Sequence, residues 1–208
     1  MPKPVEDFLN FEEGDVVTLS DLQTQAEFNE SEVDFRIASV RKYHEPNDCF
    51  TLTCYLIQGP NEDQEYILMV KQVGEVYDLF VYYKEDEGDL YIAEDGQEEC
   101  PYISVLFKDG EEDFKERIEV SHENDGTEFT VAWDKQGGSS FGVEYNDTDA
   151  DVNGIVSIAE YFTEVGYAGN DRLFISWLGD FKAGNVEMWY GCLVEDHEVS
   201  ILPVAQDE

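Results

Sequence analysis

From Val33 onward the chain is a series of short apolar runs, rich in β-branched and aromatic residues and separated by Gly, Pro, Asn and Asp. Runs of this length are too short for stable helices and suit strands, so the feature confines the fold to sheets. Phe35–Tyr43 alternates loosely and stops at Glu45-Pro46-Asn47-Asp48. Phe50–Ile57 stops at Gly59-Pro60. Tyr66–Val70, Leu79–Tyr83 and Leu90–Ala93 follow at short intervals, with Gly74 and Gly88 in the connections. This spacing predicts a meander of antiparallel strands. Further strands are expected at Tyr102–Phe107, Arg117–Val120, Thr127–Trp133, Phe141–Tyr145, Leu173–Trp177, Val186–Leu193 and Val199–Leu202.

Helical signals are fewer. Val5–Phe11 and Asp21–Phe28 each suit a short helix, with Ser20 as the N-cap of the second, and Gly14-Asp15 opens a strand between them. A clearer helix is expected at Ser157–Val165, stopped by Gly166, with Val152, Ile155, Ala159 and Phe162 as its apolar residues. The expected class is therefore α+β: mainly antiparallel β meanders with one clear helix and two short N-terminal helices. The run 84–99 carries eight acids and one lysine, and it marks the candidate boundary. On that division 1-98 is an N-terminal β-rich half and 99-208 a C-terminal α+β half, with one continuous domain as the alternative.

Charge limits the partners. Against 49 acidic residues stand 12 basic ones, for a net charge of −37. Such a field repels nucleic acid and anionic membranes, and it attracts cations and basic proteins. Three readings follow: solubility in a salty medium, where screening tolerates the acids; binding of calcium or another cation; and imitation of nucleic acid by an inhibitor or immunity-type protein that faces a basic partner. With 42% hydrophobic residues the chain has ample material for a core. The start, MPKPVEDFLNFEEGD, lacks a basic n-region and an apolar h-region. No window is apolar enough to span a membrane. Cys49, Cys54, Cys100 and Cys192 form no C-x-x-C pair. A cytoplasmic protein with reduced thiols is the expectation. The sequence leaves the oligomeric state open.

The sharpest ligand signal is Asp149–Glu160, DADVNGIVSIAE, which matches D-x-[DN]-x-[DN]-G-x5-E at every specified position. Over these residues the chain resembles an EF-hand calcium loop. Calcium takes six to eight oxygens, and alternate residues of a tight loop can aim theirs inward. The resemblance implies side-chain ligands from Asp149, Asp151, Asn153 and Glu160. It further implies the carbonyl of Ile155, and Ser157 directly or through water. An EF-hand also needs a helix before the loop. Here Gly137–Asn146 reads as a turn and strand, so the expectation is an isolated loop–helix site and no EF-hand domain. The competing reading is a plain helix cap, because acids also suit a helix N-terminus.

Catalytic signals are weak. Gly138-Ser139-Ser140-Phe141-Gly142 fits G-x-S-x-G, but a strand follows where a hydrolase elbow needs a helix. His44, His122 and His197 lie in acidic surroundings and define no nucleophile–base pair by spacing. A zinc set from His44, Cys49 and Cys54 is disfavoured because Cys54 falls inside a strand. Among so many acids no catalytic pair stands out, so no catalytic residue is assigned. A hydrolase with unassigned carboxylates is the last alternative to a non-enzymatic acidic interaction protein.

Overall fold

The computed structural model describes residues 4–44, 50–60, 64–84, 91–92, 117–122, 125–131, 141–147, 154–163, 171–178 and 186–202. Those residues are mainly β. The chain groups into two compact units that interleave along the sequence: Met1–Tyr83 with Glu144–Gly154 and Cys192–Glu208, and Lys84–Val143 with Ile155–Gly191.

The first unit opens with helix α1 (Glu6–Leu9), strand β1 (Val16–Leu19) and helix α2 (Leu22–Phe28). Both expected N-terminal helices are present, the first one shorter than expected. The cap of α2 is Asp21 and not Ser20. Asp21 is extended, and its Oδ1 accepts the Thr24 N–H at 2.9 Å while its Oδ2 accepts the Thr24 hydroxyl at 2.6 Å. A carboxylate there satisfies an otherwise orphaned helical N–H. Asn29, at φ 53°, ends the helix in the left-handed region, where Asn is better tolerated than most residues.

The long strands then follow: β2 (Val33–His44), β3 (Thr51–Gln58), β4 (Glu65–Val73) and β5 (Val76–Lys84). With β13 (Val199–Leu202) they lie in the order β13-β1-β2-β3-β4-β5, each paired antiparallel with its neighbour. A bulge at Ala38 shifts the β2–β3 register between Ile37 and Ser39. Arg41–His44 of β2 also pair with Glu144–Asp147, the end of β9 (Phe141–Asp147). The β4–β5 turn runs through Gly74, at φ +63°, and Glu75. Glycine with positive φ at the first central position is the signature of a type II′ hairpin, whose twist matches its strands.

The burial pattern explains the near-continuous apolar runs. Tyr55, Ile57, Leu68, Val70, Leu79 and Val81 join Phe8, Val17, Leu19, Phe35 and Cys192 in one core. The alternate residues Leu52, Cys54, Ile67, Met69, Phe80 and Tyr82 are at most 3% exposed as well. Strands buried on both faces cannot alternate cleanly between apolar and polar residues. The Tyr55 hydroxyl meets the Phe8 carbonyl at 2.8 Å, tying α1 to the sheet. Burial drives that phenol's pKa far above its ordinary value.

The second unit takes Val186–Gly191 of β12 (Val186–Val194) and Ile155–Phe162 of β10 (Gly154–Phe162), and its strand order is β12, β11 (Asp171–Leu178), β10, β8 (Asp125–Val131), β7 (Arg117–His122) and β6 (Tyr91–Ile92). These match expected strands at 90–93, 117–120, 127–133, 173–177 and 186–193, whereas Tyr102–Phe107 lies outside the described residues.

The segment expected as the clear helix, Ser157–Val165, is strand β10 as far as Phe162. It pairs with β11 from Val156↔Leu178 to Phe162↔Arg172, and with β8 at Tyr161↔Val131 and Phe162↔Thr130. Its sequence, GIVSIAEYF, is dense in β-branched and aromatic residues. A short helix gains little by itself, whereas the long ladder with β11, extended at its end by β8, supplies backbone hydrogen bonds to the extended chain. With that helix replaced, the described residues are mainly β and carry only two short helices.

Candidate carboxylate sites

The residues of the calcium-type match are only partly visible. Asp149, Asp151 and Asn153 lie outside the described residues. Ile155 and Ser157 fall on β10, and their side chains are likewise outside the description. Glu160, the twelfth position, is on β10 opposite Phe174 and only 2% exposed. An EF-hand glutamate sits one helical turn into the exit helix. Glu160 instead belongs to an extended chain, between Ala159 and Tyr161. Gly138-Ser139-Ser140 is outside the described residues, and Phe141-Gly142 opens strand β9. Of the zinc set His44, Cys49 and Cys54, Cys54 is buried on β3, whereas the side chain of His44 and all of Cys49 lie outside the described residues.

A second buried acid accompanies Glu160 in the same unit. Asp171 is 3% exposed at the start of β11. Its carboxylate accepts the Tyr190 hydroxyl of β12, and its carbonyl accepts the Thr163 N–H at 3.0 Å. The two acids serve opposite faces. In the β10–β11 register Glu160 shares a face with Phe174 and Arg172, whereas Asp171 is one residue out of phase. The Arg172 guanidinium stands 5.1 Å from the Phe162 ring centre, a cation–π contact on the Glu160 face. Carboxylates on opposite faces cannot act on one substrate atom, so this pair does not build an acid–base site.

The described residues bring one further set together. In the turn between β12 and β13, Glu195, Asp196 and His197 place one ligand atom each within 4.8 Å of the others. The turn is held by the Glu198 N–H donating to the Glu195 carbonyl at 2.9 Å. In return the Glu195 N–H donates to Glu198 Oε2 at 2.7 Å. Two carboxylates and an imidazole form a mixed donor set; oxygen suits calcium and magnesium, and imidazole suits transition metals. The sequence signal was the run Glu-Asp-His-Glu, but consecutive residues in a strand would point to opposite faces. Only the turn makes them neighbours.

Two titratable groups show the local field. Glu27, although exposed as a residue, accepts the Tyr66 hydroxyl at 2.6 Å. Desolvation of its carboxyl raises its pKa, the Tyr66 bond opposes this, and the charge of Asp21 adds to the rise. Tyr77, half-buried on β5, has its phenol raised first by burial and then by the carboxylates of Asp196 and Asp7.

No protein-family model, curated protein or solved structure matches the chain. Among the described residues, no helix is long and apolar enough to cross a membrane.

Proposed function

We propose that this is a non-enzymatic acidic interaction protein of the cytoplasm whose surface engages a cationic partner, foremost a basic protein. The net charge of −37 carries the reading. The apolar residues are spent on the core, while Glu6, Asp7, Glu12, Glu13, Glu30 and Glu32 stand exposed. A surface with this balance steers positive partners and repels nucleic acid and anionic lipid. Titration of the full chain with poly-L-lysine by calorimetry tests it. Binding is expected at about 0.01 M salt and is lost near about 1 M, where the screening length falls roughly tenfold. Absence of binding in dilute buffer overturns the reading.

A second reading, calcium stabilisation, is supported by the twelve-residue match at Asp149–Glu160. A native-state ligand at about a hundred times its Kd adds about 2.7 kcal/mol. Melting with calcium should therefore exceed melting with chelator by several degrees. Identical curves remove this reading and leave the first untouched.

A further inference from the structure

We draw no further inference here: the strongest candidate, the Glu195–Asp196–His197 side-chain cluster in the β12–β13 turn, is a largely exposed pair of acids beside one imidazole, and no second observation among the described residues points to an ion held there.

Discussion

Helix α2 and strand β10 start from similar local signals and end in different structures. Each follows an acid that can cap a helix, Asp21 in one case and Asp149 or Asp151 in the other, and each shows apolar residues near helical spacing. Between the signals, however, α2 reads LQTQAEF and β10 reads GIVSIAEYF. Leu, Gln, Ala and Glu lose little side-chain freedom in a helix, whereas Ile, Val, Tyr and Phe lose more and fit a pleated surface. Strand β10 also has strand neighbours on both sides, β11 and β8. Capping and period therefore select a helix only where composition agrees and no ladder competes.

The largest effect is expected at the strand beside β10. Leu173, fully buried and opposite Tyr161, belongs to the strand that holds β10 extended. Leu173→Ala should cost about 2–5 kcal/mol in urea denaturation, as for other core truncations. In the intact protein, Cα and Cβ chemical shifts across Gly154–Phe162 should be those of extended chain. Helical shifts there would dissolve the contrast with α2.

The seat of α2 is the next target. A Cβ on Gly59 would lie 2.7 Å from Phe35 Cε1 and 3.6 Å from Phe28 Cζ, at the end of that helix. Phe35 is 1% exposed and stands edge-on to Phe28, so it has little room to yield. Gly59→Ala should cost about 1–3 kcal/mol through overpacking. A neutral result would mean that the aromatic cluster yields more readily than the 2.7 Å approach to Phe35 implies.

The cap itself is worth less. Asp21→Ala removes both bonds to Thr24 and should cost about 1 kcal/mol, with Asp21→Asn recovering most of it. Equal losses in the two variants would show that charge, rather than cap geometry, matters there.

The smallest effect concerns Glu27, also on α2. Its folded pKa is raised above the ordinary 4.5, so the folded state binds the proton more tightly than the unfolded chain. The resulting contribution is fully present below 4.5 and declines as pH rises through the folded value. Glu27→Gln keeps an acceptor for the Tyr66 hydroxyl and removes the charge. It should raise the melting temperature slightly at pH 7 and flatten the profile just above pH 4.5. A variant less stable than the parent at neutral pH would contradict the assigned cause.

Much of the strand inventory could be read in the chain because alternation, β-branched content and glycine turns are local. The hairpin at Gly74 is the plainest case. The candidate sites were less legible. Tyr77 reads as an ordinary strand aromatic, and nothing in its neighbourhood of sequence reveals Asp7 or Asp196. Glu160 reads as a ligand by spacing, yet its burial depends on strands β8 and β11, whose pairing partners are distant in sequence.

The amino-acid order alone dictated a β-rich chain, its excess of negative charge, the helix formers of α2 and the glycine turn of the β4–β5 hairpin. These follow from properties of single residues and their near neighbours. Tertiary structure decided that 154–162 is a strand, that the chain divides into interleaved units, and that the charges of Asp7 and Asp196 reach Tyr77. Each of those outcomes turns on which distant segment supplies the hydrogen bonds or the field, and such choices are settled only when the whole chain competes for them.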